Sequence, residues 1–262
     1  MLDRGEPPDA RELERIAGAV ARAAAAVVTD AHRRPVAVGH KVSPTDVVTE
    51  TDLRAEELIR RLLGDATPGA GALGEEGGET LPGARLQWVI DPLDGSVNFL
   101  HGVPIFGVSI AAAVDGEVVA GAVLDVLRGE LFSAHLGGGA CLDGAPIEVS
   151  ACTSPAQALV ASGFSHRAGE RLREAEVARR LLSRVGDLRC FGSAALELCW
   201  VACGRVDAYY QRHTAVWDRA AGALIASEAG ADVELPCPEN DDLVLASGPG
   251  LFEALRAHVQ FG

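Results

Sequence analysis

Basic residues are in short supply in this chain. Lys and Arg total 23 against 37 Asp and Glu, a formal charge of −14 over 262 residues. That balance argues against nucleic acid or an anionic membrane as a main partner. It also means that an anionic substrate must be drawn in by a bound cation rather than by the protein's own field. No uncharged apolar run reaches the length of about 18 residues that a membrane helix needs, and MLDRGEPPDA at the start holds no apolar signal core. The six cysteines (141, 152, 190, 199, 203 and 237) form no CxxC pair and no metal-finger spacing. Reduced, mostly buried thiols in a cytoplasmic protein are therefore expected. Internal repeats, low-complexity tracts and flexible linkers are lacking too. Gly137-Gly138-Gly139 lacks the lysine-serine pair and following helix of a phosphate loop, so it reads as a turn.

Apolar residues are plentiful at 48%, enough for a sizeable core. The most informative stretch is Trp88–Phe99, WVIDPLDGSVNF. Leu86–Ile90 reads as a buried strand that Asp91-Pro92 ends, delivering Asp91 to a sheet edge. The turn Pro92-Leu93-Asp94-Gly95 can then aim both carboxylates and the Leu93 carbonyl at one point. Clustered carboxylates repel unless a cation lies between them, and an all-oxygen donor set suits a hard ion such as magnesium. Asp-Pro and Asp-Gly are also ordinary turn dipeptides, so the stretch alone admits a plain turn.

Two distant acidic segments bear on that choice. Gly74-Glu75-Glu76-Gly77-Gly78-Glu79 sets adjacent glutamates in a glycine-rich loop, and Trp217-Asp218 opens the helical run RAAGALIASEAGA with Asp218 expected at its N-cap. A solvated charge pair and a plain cap are the alternatives.

Taken together these segments resemble the inositol monophosphatase family of magnesium-dependent, lithium-sensitive phosphatases. Five blocks match in order: Lys41 with SPTDVVTETD (Ser43–Asp52), GEE (Gly74–Glu76), WVIDPLDGSVNF, GSAALELC (Gly192–Cys199) and WDRAAGALIASEAG (Trp217–Gly230). The resemblance implies that Glu75, Asp91, the Leu93 carbonyl, Asp94 and Asp218 hold two or three magnesium ions. It implies that Asp52 and Ser96, with Glu75, orient the attacking water, Ser96 standing where the family usually has threonine. Gly95 and Ser96 match backbone amides that cradle phosphate, and Gly192, Ser193 and Ala194 match a segment lining the alcohol pocket, with Asp94 and Asp218 also facing substrate.

Gln211, seven residues before Asp218, stands where inositol-preferring members carry a glutamate. It keeps an acceptor but loses the charge and adds a donor, which leaves the substrate open. Inositol 1-phosphate comes first; histidinol phosphate, fructose 1,6-bisphosphate, a nucleotide 3′-phosphate and NADP are the alternatives within the same chemistry. A partner-binding protein with a vestigial site is a third reading, opposed by the filled ligand positions. Arg212 and His213 are expected at the surface. The resemblance also implies a homodimer.

Pattern reading suggests an α+β first half (1–150) carrying most ligands and an α/β second half (151–262) carrying Asp218 and the substrate pocket. Helices are expected at Asp9–Ala31, Asp52–Leu63 (capped by Thr51 or Asp52), Ala168–Val185, Ser193–Cys203, Arg219–Glu228 and Gly250–His258. Strands are expected at Phe106–Val114 and Val118–Val126, joined at Asp115-Gly116, and at Glu130–His135 and Ala140–Val149. Further strands are expected at Leu159–Ser162, Asp187–Phe191, Val206–Tyr209, Asp232–Glu234 and Leu243–Ala246. The arginines from Arg167 to Arg184 alternate with glutamates and read as a solvated helix face. The resemblance implies a layered αβαβα sugar-phosphatase fold with the metal site between the halves.

Overall fold

The computed structural model describes residues 8–32, 38–40, 47–237 and 242–260. Lys41 and the first residues of its block, Ser43–Asp46, lie outside the described residues. Helix α1 (Ala10–His32) starts at Asp9, whose Oδ1 accepts the Glu12 N–H at 2.8 Å. Its stripe Leu13, Ile16, Ala17, Val20, Ala21, Ala24 and Val28 is buried at helical spacing. A short antiparallel pair, β1 (Val38–His40) and β2 (Val47–Thr49), leads into α2 (Glu50–Ala66). The cap of α2 is Thr49, not Thr51 or Asp52: the Thr49 hydroxyl accepts the Thr51 and Asp52 N–H groups, and Asp52 reaches back to the Thr49 N–H at 2.8 Å. Asp52 is thus the N3 member of a capping box.

One sheet of eight strands follows, in the order β10-β9-β8-β7-β6-β5-β3-β4. Its strands are β3 (Gly71–Gly74), β4 (Gly78–Thr80), β5 (Leu86–Asp94), β6 (Gly107–Val114), β7 (Glu117–Asp125), β8 (Glu130–His135), β9 (Ala140–Leu142) and β10 (Ala145–Ile147), with helix α3 (Ser96–His101) after β5. The expected hairpin at Asp115-Gly116 is present. Ala140–Val149 is instead a tight hairpin, broken by Asp143-Gly144, where both residues take positive φ. The triple glycine is the expected turn, and its Gly137 and Gly139 N–H groups each donate to the Glu228 carboxylate at 2.8 Å.

The second sheet has the order β12-β11-β13-β15-β14, built from β11 (Leu159–Ser162), β12 (Asp187–Arg189), β13 (Ala208–Arg212), β14 (Asp232–Glu234) and β15 (Leu243–Ser247). Between these strands run α4 (Ala168–Leu181), α5 (Ala194–Ala202) and α6 (Val216–Glu228), and α7 (Phe252–Val259) follows. On α4 the arginines do pair along the helix, Arg173 with Glu170 and Arg179 with Glu176.

Strand alternation sorts the layers. Trp88 and Ile90 of β5, Ile110 of β6 and Leu124 of β7 pack against α1 and α2, while Val89, Ala111 and Val123 face the opposite side against α5 and α6. Those two helices also meet Tyr209 and Val244 of the second sheet, whose far face, with Val160 and Leu245, packs Leu181 of α4 and Leu255 of α7. The order is therefore helices, sheet, helices, sheet, helices. Full burial of a side chain such as Ile90 contributes on the order of 2 kcal/mol. The middle layer demands small residues: a Cβ on Gly121 would lie 3.0 Å from Ala221, and one on Gly222 would lie 2.8 Å from Leu198. All nine residues of α5 are buried, as a helix sandwiched between two sheets must be.

Candidate active site

Parallel pairing brings the first two carboxylates together. β3 runs parallel to β5 with Gly74 opposite Ile90, so the next residues, Glu75 and Asp91, follow side by side where the parallel pairing ends. The Glu75 N–H donates to the Ile90 carbonyl at 3.2 Å and carries the pairing one step further. Carboxyl ends of parallel strands are where such sheets leave a crevice.

Asp91-Pro92 does not end the strand. β5 continues to Asp94, but its register against β6 shifts between Asp91 and Asp94. Proline lacks an N–H and is tolerated at such a bulge. The bulge turns Asp91 back on its own backbone, its Oδ1 accepting the Leu93 N–H at 3.0 Å. Gly95 then takes φ 94°, and a Cβ there would meet the Ile105 and Gly192 carbonyls at 3.0 and 3.2 Å.

Asp94 is the link to the second half. Its Oδ2 accepts the Ser193 hydroxyl at 2.6 Å and the Ala195 N–H at 2.8 Å, at the start of α5. Ser193 is buried, and its hydroxyl faces Asp94. Gly192 (φ 82°) lies against Asn98, whose amide donates to the Phe191 carbonyl at 2.6 Å. Ala194 opens α5, so Gly95, Gly192, Ser193 and Ala194 form one neighbourhood. Asp218 is not an N-cap: α6 begins earlier, at Val216, and Asp218 occupies its third position, accepting the Ala215 N–H at 2.7 Å. Alanine has no hydroxyl to return the bond, so half a capping box remains.

The four acidic residues act on one another electrostatically. Burial first, then Glu75, Asp94 and Asp218, hold the Asp91 carboxyl well above the usual carboxylate range. Burial and Glu75 push Asp94 up to about 6 against the hydrogen bonds from Ser193 and Ala195. Burial, Asp94 and Glu75 push Asp218 up to about 8. Among the described residues no three His, Cys, Asp or Glu side chains are drawn into a ready-made cage. The carboxylates share one electrostatic field. Buried carboxylates that keep each other protonated fit a divalent cation, since a cation converts their repulsion into attraction.

Beside them stands the expected hydroxyl–carboxylate pair. Ser96 Oγ lies 2.8 Å from Asp52 Oδ1 and 2.9 Å from the Leu93 carbonyl oxygen. The other Asp52 oxygen accepts from the Thr49 N–H and hydroxyl, so this fully buried carboxylate has a single orientation.

Three further residues escape the sequence reading. Glu56, buried on α2, accepts the Glu76 and Gly77 N–H groups at 2.8 Å each and pairs with Arg60 at 2.6 Å. It fixes the turn that carries Glu75. If Glu75 holds a divalent cation, Glu56→Gln is expected to weaken its binding about tenfold in a metal titration, the size of effect that residues orienting a metal ligand show. A titration curve like that of the wild type would separate Glu56 from Glu75. Glu197, buried on α5, accepts the Phe191 and Gly192 N–H groups at 2.7 and 3.0 Å, and burial pushes its carboxyl up to about 8. A lone acid inside the apolar run ALELCWVA was its signal. Tyr209 is the third, donating its hydroxyl to Gln211 Oε1 at 2.9 Å.

Gln211 lies on β13, which starts two residues and ends three residues later than the expected strand, and it lines a cavity with Asp218, Arg167 and Arg219. Arg212 is a correction: at 2% exposure it is buried, because β13 is interior to the second sheet. His213, at φ 55°, is partly exposed and faces Glu170 at 3.4 Å and Asp242 at 3.7 Å.

The inositol monophosphatase family model matches residues 9–260. The chain is 44% identical over 237 residues to the inositol-1-monophosphatase of Mycobacterium leprae (strain TN), covering 86% of this chain and 81% of that one. It is 39% identical over 225 residues to the Nus factor SuhB of Pseudomonas aeruginosa, covering 82% and 83%. The solved structure of Mycobacterium tuberculosis SuhB superposes with a TM-score of 0.83 at 38% identity over 96% of each chain. No helix among the described residues is long and apolar enough to cross a membrane.

Proposed function

Because the chain belongs to the inositol monophosphatase family, a family of phosphoric monoester hydrolases, we propose that it hydrolyses a small polyol or sugar phosphate using magnesium held by Glu75, Asp91, the Leu93 carbonyl, Asp94 and Asp218. Inositol 1-phosphate is the reference ester, from the name of the Mycobacterium leprae relative. One observation carries the reading: mutually repelling buried carboxylates lie next to a preformed Ser96–Asp52 pair. Magnesium, when bound, supplies an acidified water and neutralises charge on the phosphoryl and leaving oxygens.

The chain's own residues do the rest. Ser96 donates to Asp52, which leaves the Ser96 lone pairs free to accept a hydrogen bond from water. A proton leaving that water at Ser96 Oγ is matched by the Ser96 proton moving to Asp52 Oδ1, so charge is conserved along the pair. The missing methyl, relative to threonine, does not alter this path. Gly95 contributes an N–H to the phosphate without side-chain bulk, and Asp94, tied to Ser193 and the start of α5, keeps the two halves in register around the phosphoryl group. The name of the Pseudomonas aeruginosa relative favours a second, partner-binding role; the complete ligand set keeps the enzymatic role first.

The test is phosphate release from a panel of monoesters (inositol 1-phosphate, histidinol phosphate, fructose 1,6-bisphosphate, a nucleotide 3′-phosphate, NADP), with and without magnesium and lithium. Magnesium-dependent, lithium-inhibited release from at least one is expected. No release from any of them with magnesium present would leave the partner-binding reading standing alone.

A further inference from the structure

The cavity next to Asp218, of about 500 Å³, has Gln211 in its wall together with Arg167 and Arg219. A glutamine offers both an acceptor and two donors, so its orientation decides what a substrate meets. Here one lone pair of the acceptor is taken: the Tyr209 hydroxyl donates to Gln211 Oε1 at 2.9 Å. Tyr209 is fully buried, so its hydroxyl has few alternatives to that oxygen. On its other side the amide lies flat against Gly163, where an added Cβ would fall 1.9 Å from Oε1 and 2.4 Å from Cδ. Only glycine leaves room for the amide in that place. The Gln211 NH₂ is then the group left for a ligand.

The surrounding charges point the same way. The two carboxylates on the wall besides Asp218, Glu170 and Asp242, both face His213. Of the groups remaining toward the cavity besides Asp218, the Gln211 NH₂ and the two guanidinium groups can only donate, while Ser165, His166 and Thr214 can donate and accept. A hydroxyl also carries a proton that needs an acceptor, whereas a carboxylate or phosphate takes donors alone. Hydrogen bonds from a guanidinium to an anionic oxygen are about twice as strong as neutral ones.

We propose that Gln211, oriented by Tyr209 and Gly163, makes this site prefer phosphomonoesters whose alcohol part carries an acceptor-only anionic group, a carboxylate or a second phosphate, over all-hydroxyl polyol phosphates. The proposal rests on the phosphatase reading above. Gln211 is the specificity residue; Tyr209 and Gly163 are positioning residues.

The test is steady-state kinetics of the magnesium-loaded full chain on ring-sized esters that differ in one group. Glucose 1-phosphate and glucuronic acid 1-phosphate differ only by CH₂OH against carboxylate, and glucose 1,6-bisphosphate replaces the carboxylate by phosphate and tells the two sources apart. Wild type is expected to favour one or both anionic esters over glucose 1-phosphate by about tenfold or more in kcat/KM. Gln211→Glu is expected to reverse that order. Tyr209→Phe and Gly163→Ala, which release or displace the amide, should bring the ratio toward one, mainly through KM. A general loss of folding scales all three rates together and leaves the ratio alone. Equal kcat/KM for the three esters in wild type, or an unchanged ratio in Gln211→Glu, overturns the proposal. No hydrolysis of these three overturns the proposal alone when another ester of the panel above is hydrolysed, and overturns the phosphatase reading as well when none is.

Discussion

Replacing Asp94 with asparagine is expected to abolish turnover while leaving the fold intact. The side chain keeps its shape, and an amide oxygen still accepts from Ser193 and the Ala195 N–H, so the tie between the turn after β5 and the start of α5 survives. What is lost is a negative charge among Asp91, Glu75 and Asp218. In the cation-free protein that loss relieves repulsion, since burial and Glu75 already push the Asp94 carboxyl up to about 6. Unfolding should therefore occur at the wild-type temperature or above it. In the loaded enzyme the loss removes a ligand, and metal-assisted charge stabilisation amounts to several kcal/mol, a rate factor of roughly 10³ or more. Phosphate-release assays and thermal melts on the same preparation read the two halves of this expectation. Wild-type rates would remove Asp94 from the site; a lower melting temperature without added metal would mean that it is a structural cap for α5.

The second large effect is on stability against pH. Asp94 stands at about 6, Asp218 at about 8 and Glu197 at about 8, all above the ordinary values of 3.8, 3.8 and 4.5, with burial as the leading cause. Each folded-state value is raised, so the folded chain keeps a proton that the unfolded chain has released. The stabilisation is complete below the unfolded values and is lost as pH climbs through the folded ones. Stability of the chelator-treated protein should fall by about 1.4 kcal/mol per pH unit for each such proton, from about pH 4 to about pH 6 for Asp94 and on to about pH 8 for Asp218 and Glu197. Glu197→Gln isolates one of them, because glutamine keeps an oxygen for the Phe191 and Gly192 N–H groups but cannot ionise. Denaturation midpoints between about pH 5 and pH 8 should slope less steeply in Glu197→Gln than in wild type. Magnesium should flatten the remaining slope, since it displaces the protons that Asp94 and Asp218 hold. Parallel slopes in the two proteins would mean that Glu197 is ionised in the fold.

These residues also show what could be read from the sequence. Asp52, Ser96, Glu75 and Asp91 were legible as candidates through the family resemblance, whose blocks hold these residue types in this order, while the apolar run before Asp91 marked its strand. Thr49 was not legible as the cap of α2 because Thr49-Glu50-Thr51-Asp52 offers several capping side chains in a row, and only backbone geometry chooses among them. Glu56 and Arg60 have the spacing of an ordinary surface ion pair. Their burial comes from the turn between β3 and β4, Glu75-Glu76-Gly77, folding onto α2, with Gly74 and Gly77 too close to Glu56 to carry a side chain. Arg212 escaped for a related reason, since a charged residue beside a histidine looks exposed until β13 is placed inside a sheet.

The proposed function requires that Glu75, Asp91, Asp94 and Asp218 form a divalent-cation site that drives phosphomonoester hydrolysis. Its most direct test is phosphate release from the best ester of the panel as magnesium is titrated into chelator-stripped enzyme, wild type beside Asp91→Asn. No release is expected without magnesium, with saturable recovery in wild type and none in Asp91→Asn at the same concentrations. Release that is independent of magnesium, or equal recovery in Asp91→Asn, would contradict it.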